Sequence, residues 1–295
     1  MIDRGRSFRA RNAGYTLDMT DPADHSDPAD SVDLDGPADA NHAPPIDRKL
    51  LIEGLGKGLR VIEAFSEDRP RMTATEAGEA AALTRTAARR YLMSLVHFGY
   101  AGTDGKYYWL LPRVLRLGQA FLDGARVPRL VQPYIQRASM QCGETLNVGA
   151  LDGHEVVYVA RSNAPRMVSI GFHPGARVAA HVVSQGFVLL STFDDAALAA
   201  WIAAHDFTSF TGSTPVDAAR FRDSVLAARA LGYWKADQHL NFGLCGLAVA
   251  LKDRKGRCQY ALSATVQRQM YPDDQLVDKL LPVLRDVSEA LRPIL

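Results

Sequence analysis

The chain has 295 residues, 47% of them hydrophobic and 23% charged, a balance that excludes a disordered or fibrous protein and gives room for about two domains. No apolar run approaches the roughly 20 residues of a membrane helix, and no apolar segment follows the arginine-bearing start, so neither a membrane protein nor an exported one is expected. Cys142, Cys245 and Cys258 are odd in number and lack the close spacing of a zinc site or redox pair, which points to reduced thiols in the cytoplasm, with no metal or cofactor.

The net charge of +1 conceals an asymmetry. Residues 1–47 hold four arginines against ten aspartates, residues 48–127 hold 13 basic against eight acidic residues, and residues 128–295 hold 17 against 15. The first stretch has almost no large apolar side chains to offset its ordering entropy and is expected to be a disordered acidic tail. The positive excess behind it suits a polyanionic partner.

Order is expected to begin near Ile52, where Gly58 to Phe65 has apolar residues at helical spacing. A second short helix follows Met72, with Thr73 or Thr75 as N-cap; Thr73 and Glu76 have the spacing of a capping box. Leu83 to Phe98, LTRTAARRYLMSLVHF, reads as a third helix capped by Thr84. At 100° per residue it places Leu83, Ala87, Tyr91, Leu95 and Phe98 on an apolar stripe, with Arg85, Thr86, Arg89, Arg90, Met93 and His97 opposite. Threonines and arginines with no acidic neighbour suit phosphates and base edges, and two short helices, a tight connection and a basic third helix make a helix-turn-helix. Gly99 follows as a C-cap. Asp104-Gly105 between β-prone runs then predicts a hairpin wing with Lys106 at its tip, within reach of a phosphate. Pro112 to Leu122 predicts a connecting helix whose apolar face holds Val114, Leu115, Leu117, Phe121 and Leu122.

The second half opens with a helix through Val131, Ile135 and Met140. Strands are predicted at Thr145–Leu151, Glu155–Arg161, Met167–Phe172, Tyr233–Gln238, Gly246–Lys252 and Cys258–Val266. Helices are predicted at His181–Phe193, Asp195–Ala204, Pro215–Leu231 and Pro272–Leu291. Strands grouped in hairpins with helices between them indicate an α+β domain with a largely antiparallel sheet.

In this order, GLGKGLRVIEAF, LTRTAARRYLMSL, FGYAGTDGKYYWL and LPRVLRLGQAFL resemble the N-terminal domain and linker helix of IclR-type bacterial transcriptional regulators. TRTAARR and LPRVLRLG resemble in particular the subgroup that controls aromatic-acid catabolism through the β-ketoadipate route. The resemblance continues through GETLNVGALDGHEVVYVAR, GARVAAHVVSQGFVLL and GLCGLAVALKDRKGRCQYALSATVQ, and so covers about residues 50–295. It implies a winged helix-turn-helix DNA-binding domain at 48–111, a linker helix at 112–127 that makes a dimer contact, and a GAF-like effector-binding and oligomerisation domain at 128–295. The implied partners are double-stranded operator DNA, a second or further copy of the chain in a homodimer or homotetramer, and a small organic acid effector, either an aromatic acid or its ring-cleavage product. DNA contact falls to Thr84, Arg85, Thr86, Arg89, Arg90 and Lys106. Effector contact falls to His181, Asp237, His239, Leu244, Gly246, Ser263 and Thr265, of which Ser263 and Thr265 alternate along one strand and therefore face the same side.

Family members commonly carry Pro where this chain has Ala179, an aromatic where it has His181, a basic residue at Phe187, and carboxylates at His239 and Asn241. These departures gather around the implied pocket. Two rival readings stay open. One is an enzyme acting on a small carboxylate, for which Ser184-Gln185-Gly186 is half a nucleophile elbow and Cys245 with His239 a possible nucleophile and base. The other is a DNA-binding protein whose second domain only dimerises.

Overall fold

A computed structural model describes residues 48–164, 172–272 and 275–295. The acidic stretch at 1–47 and all but the last residue of the strand expected at Met167–Phe172 lie outside the described residues, as does the start of the closing helix at 273–274.

The N-terminal part follows local rules closely. Helix α1 spans Glu53–Glu63. A two-residue strand, β1 (Met72–Thr73), leads into α2 (Ala74–Ala80), whose N-cap Thr73 accepts from Glu76 N while the Glu76 carboxylate accepts from Thr73 N. The bond from Thr73 N, with a second from the Thr73 hydroxyl, holds the Glu76 carboxyl below its ordinary range. The turn into α3 (Arg85–His97) passes through Ala82 in the left-handed region at φ 53°, with Leu83 N donating to Gly78 O at 2.8 Å. Thr84 caps α3 through its hydroxyl, which accepts from Ala87 N. At the other end Gly99, at φ 76°, lets Tyr100 N reach back to Leu95 O at 2.8 Å, the bond that closes a left-handed helix terminus.

The core of this part corrects the apolar stripe expected for α3. Ala88 and Leu92 are fully buried with Val61, Met72 and Ala77, whereas Phe98 is 60% exposed. The face is centred on Ala88 and Leu92, four residues apart, and Phe98 lies beyond the last helical residue, where the stripe no longer has a surface to cover.

The wing is β2 (Ala101–Thr103) paired antiparallel to β3 (Tyr107–Leu110), with β1 completing a three-stranded sheet in the order β1-β3-β2. After it, a 3-10 turn at Pro112–Val114 precedes α4 (Leu115–Gly124). No residue of α4 is buried among those described; Leu115, Leu117 and Phe121 are exposed, and the side chain of Leu122 lies outside the described set. Helix α5 (Arg126–Cys142) carries the chain into the second part.

There a six-stranded sheet runs β6-β5-β4-β9-β8-β7, every neighbouring pair antiparallel. Its strands are β4 (Leu146–Asp152), β5 (Glu155–Arg161), β6 (Arg177–Ala179), β7 (Tyr233–Asp237), β8 (Leu244–Lys252) and β9 (Cys258–Gln267). One face packs on α5 and α9 (Gln275–Leu291) through Val148, Leu247, Leu262, Ala264, Ile135 and Leu284. The other packs on α6 (Ser184–Leu190), α7 (Asp195–Ala204) and α8 (Ala218–Leu231) through Val156, Phe187, Trp201 and Phe221. Two expectations change here. The segment leading to His181 contains the edge strand β6, and the helix expected from His181 is a 3-10 turn at Ala180–Val182 followed by a seven-residue helix.

Leu92→Ala is expected to cost about 2–5 kcal/mol of the stability of the N-terminal part, whereas Phe98→Ala should stay within about 0.5 kcal/mol; urea denaturation of the two variants followed by circular dichroism checks the contrast.

Candidate functional site

The six residues expected to face DNA all lie on one part and all are exposed. Thr84 caps α3, and Arg85 with Arg89 and Thr86 with Arg90 form two rows at i, i+4 spacing along its first turns. With no acidic residue in the first turn, the rows present an unneutralised cationic edge. Lys106 stands at the wing tip with Nζ 5.0 Å from the Tyr107 ring centroid. The tip is rigid because Asp104 Oδ1 accepts from Lys106 N at 3.1 Å and Tyr107 N at 2.8 Å, bonds that also hold its carboxyl below the usual range. Arg71 pairs with Asp104 at 2.8 Å and covers Trp109 at 4.6 Å, which fastens the wing to the base of α2. Thr84 and Arg90 further line a groove with Lys57, Tyr91 and Ser94. Lys57 was not singled out by sequence, because α1 reads as a scaffold helix and nothing local shows that its fifth residue will border α3.

A small pocket with a cavity volume of about 40 Å³ opens on the α6 side of the sheet. Its apolar wall includes Tyr158, Phe172, Val182, Val183, Leu240 and Leu244; its polar groups are Ser184, His239, Asn241, Cys245, Ser263 and Thr265. Gly246 belongs to its floor, and a Cβ built there would stand 2.9 Å from Ser184 Oγ, so a side chain at this position would make the Ser184 hydroxyl turn aside. Of the residues expected to touch an effector, His239, Leu244, Gly246, Ser263 and Thr265 line this cavity, and the pleat of β9 does put Ser263 and Thr265 on one side. Ser184, noticed in the sequence only as part of half a nucleophile elbow, joins them, as do Tyr158 and Phe172, which no local signal singles out.

His181 and Asp237 do not line it. His181 is fully buried, with Nε2 2.9 Å from Thr208 O and Nδ1 2.7 Å from His205 Nε2. His205 Nδ1 lies in turn 3.1 Å from His154 Nδ1, and Trp201 stacks on the His205 ring at 4.3 Å. Because the Thr208 carbonyl can only accept, neutral rings take one orientation: His154 donates to His205, His205 to His181, and His181 to Thr208. His181 thus has no nitrogen left for a ligand. Asp237 is likewise spoken for, accepting from Cys245 Sγ at 2.9 Å and pairing with Arg268 at 3.3 Å. Phe187, a further departure from the family pattern, is buried and stacks on Trp234 at 5.1 Å.

The nucleophile and base reading fails on the same geometry. Burial, and then the hydrogen bond to Asp237, push the Cys245 thiol up to about 12, so it is a donor and not a thiolate, and it is turned to Asp237 instead of His239. His239 has an unpartnered, buried Nδ1, and burial holds its pKa below the ordinary value. Its loop is tied down by Thr214 Oγ1, which donates to His239 O at 2.7 Å, and by Thr211 Oγ1, which donates to Gln238 O at 2.6 Å. Among the described residues no cluster of His, Cys, Asp or Glu has the geometry of a metal site.

A basic winged helix joined to a domain with a part-polar internal cavity is the make-up of a ligand-responsive, DNA-binding transcriptional regulator. Residues 54–105 match the IclR helix-turn-helix domain and residues 119–292 match the bacterial transcriptional regulator IclR C-terminal domain, and the chain belongs to the IclR family. It is a regulator and not an enzyme. It is 37% identical over 246 residues to the p-hydroxybenzoate hydroxylase transcriptional activator of Acinetobacter baylyi, across 82% of this chain and 91% of the relative. A crystal structure of a transcriptional regulator from Rhodococcus sp. RHA1 superposes with a TM-score of 0.68 at 33% identity, over 81% of this chain and 96% of that one. The PobR inducer-binding domain from Acinetobacter, a double mutant in complex with 3-hydroxybenzoic acid, superposes with a TM-score of 0.55 at 31% identity, over 58% of this chain and all of that one. No described helix is long and apolar enough to cross a membrane.

The histidine chain makes stability depend on pH. Burial, with the neighbouring His181 and His154, lowers the pKa of His205 from 6.5 to about 4. The unfolded chain therefore binds more protons in that window, and the stabilisation present above pH 6.5 is lost as pH falls toward 4. Urea midpoints measured across this range should decline with acidification, and His205→Phe should flatten the decline.

Proposed function

We propose that this regulator controls genes for aromatic-acid catabolism in the cytoplasm and that a small aromatic acid is its effector. The observation that carries the reading is the pocket itself: an apolar wall interrupted by a few converging polar groups is the make-up of a small-molecule site. The relative named for activating p-hydroxybenzoate hydroxylase transcription and the 3-hydroxybenzoic acid complex of a similar domain support it. Residues 48–111 bind DNA, 112–127 link, and 128–295 bind the effector and oligomerise. The acid's carboxylate lies near His239, whose orphaned Nδ1 becomes a charged donor when it takes up a proton; Thr265 and Leu244 complete that end.

On DNA, Arg85, Thr86 and Arg89 reach base edges or phosphates, while Thr84, Arg90 and Lys106 hold phosphates. The exposed apolar residues Leu55 and Leu59 on α1 and Leu115, Leu117 and Phe121 on α4 supply the contact between copies, so that two winged helices read a pseudo-palindromic operator. Effector binding acts by favouring one spacing of the two.

Operator DNA selected from a randomised duplex pool separates the roles on α3. Arg89→Ala should cost about 1–3 kcal/mol and relax sequence preference at one position, whereas Arg90→Ala should weaken all sequences alike and reduce the salt slope by about one; an intact operator shift with Arg89→Ala removes its role. Differential scanning fluorimetry with benzoate, 3-hydroxybenzoate, 4-hydroxybenzoate and aliphatic diacids tests the effector class. An aromatic acid at about 100 times its Kd should add about 2.7 kcal/mol of stability, and no response to any aromatic acid would leave a domain that only dimerises.

A further inference from the structure

Asn147 on β4 is a fully buried amide with neither Oδ1 nor Nδ2 hydrogen-bonded. Directly across the β4–β9 ladder stands Ser263, 2% exposed, whose Oγ is also without a partner and which lines the cavity. Residues paired across antiparallel strands share a sheet face, with Cβ atoms about 5 Å apart. The amide therefore stands beside the cavity floor, on the opposite face from Leu146 and Val148, which enter the core under α5 and α9. Nearby groups do not relieve it. Gln185 Nε2 donates to the Asn147 main-chain carbonyl at 3.2 Å and leaves the side chain untouched, and Arg161, its pair on β5, makes no bond to the amide.

Buried polar atoms without partners are rare in native proteins, and three of them on two adjacent residues beside a cavity point to a group of a ligand as their partner. The chemistry of the pair narrows that group. Asn147 and Ser263 are both uncharged, and each offers a donor and an acceptor. A hydroxyl, which gives one hydrogen bond and takes others, can satisfy both; a carboxylate can only accept and would leave Asn147 Oδ1 without a donor. Strand β7, whose end leads to His239, lies three strand spacings from β4, ~14 Å at about 4.8 Å each. That separation suits a ring with polar groups at two ends.

We propose that Asn147 and Ser263 form a specificity subsite that reads a ring hydroxyl of the effector, opposite the end that takes the carboxylate. The proposal rests on the aromatic-acid reading above. The test is calorimetric titration of the full chain, as wild type, Asn147→Leu and Ser263→Ala, with benzoate, 3-hydroxybenzoate and 4-hydroxybenzoate. Wild type should bind one hydroxybenzoate at least about tenfold more tightly than benzoate, since a site built around a hydroxyl penalises the analogue lacking it. Asn147→Leu should bring that ratio to within about twofold while its ligand-free melting temperature holds or rises, because two orphaned atoms are gone. Ser263→Ala should reduce the ratio by several-fold. A lower melting temperature with an equal loss of affinity for all three acids would make the amide a structural group and overturn the proposal. If Asn147→Leu does not fold, Ser263→Ala decides, and an unchanged ratio overturns it. Wild type that binds the acids with a ratio indifferent to both variants removes this subsite alone, whereas wild type that binds none of the three removes the effector reading as well.

Discussion

The second part of the protein depends on the pleat of β9. This strand lies between β4 and β8 with both faces covered, so each successive residue must satisfy a different environment. Leu262, Ala264 and Val266 fill the space against α5 and α9. On the other face Ala261, Ser263 and Thr265 share their rows with Gly246, Ala248 and Gly149, all small. Helices covering a face of small side chains cannot pack flush everywhere, and the cavity is the space they leave. A dense core on one side and a hollow on the other thus come from a single alternation, and the dense side supplies the stability that the hollow side forgoes.

The DNA-facing part is held by different means. Its core is small, built around Val61, Met72, Ala77, Ala88, Leu92 and Tyr108, and its geometry is set largely by termini: the reciprocal Thr73 and Glu76 cap, the Thr84 cap, the left-handed Gly99, and the Asp104 turn locked by Arg71. Caps and turns fix the angle between α2 and α3 and the position of the wing without needing much buried area. The arginines of α3 can then be given wholly to the outward face.

This difference explains what could be read from the residues in order. Thr73 with Glu76, Thr84, and Asp104-Gly105 act over three or four positions, so the helix-turn-helix and wing were legible, as were β5 and α7 to the residue. The apolar stripe of α3 was misphased because it was anchored on Leu83 and Phe98, while the true centre includes Ala88, an alanine that carries little hydrophobic weight and yet is fully buried. In the second part the decisive contacts span long stretches. His181 meets His205 and, through it, His154; Cys245 meets Asp237 across the β7–β8 pair. Nothing near His181 in sequence distinguishes a ring with both nitrogens occupied from one free to bind. Asn147 was invisible for the converse reason, since an asparagine in a strand advertises neither burial nor the absence of partners.

The contact of Gly186 with the Ala180 backbone limits how this regulator can change its ligand. At Gly186 any side chain would overlap the Ala180 carbonyl that leads into the same helix, and backbone cannot turn aside as a hydroxyl can. The scaffold side of the pocket is therefore closed to gradual adjustment. New effector preferences have to arise at the side chains that hang over the space, among them Phe172, Leu240 and Asn241, where a substitution alters the guest and leaves the frame in place.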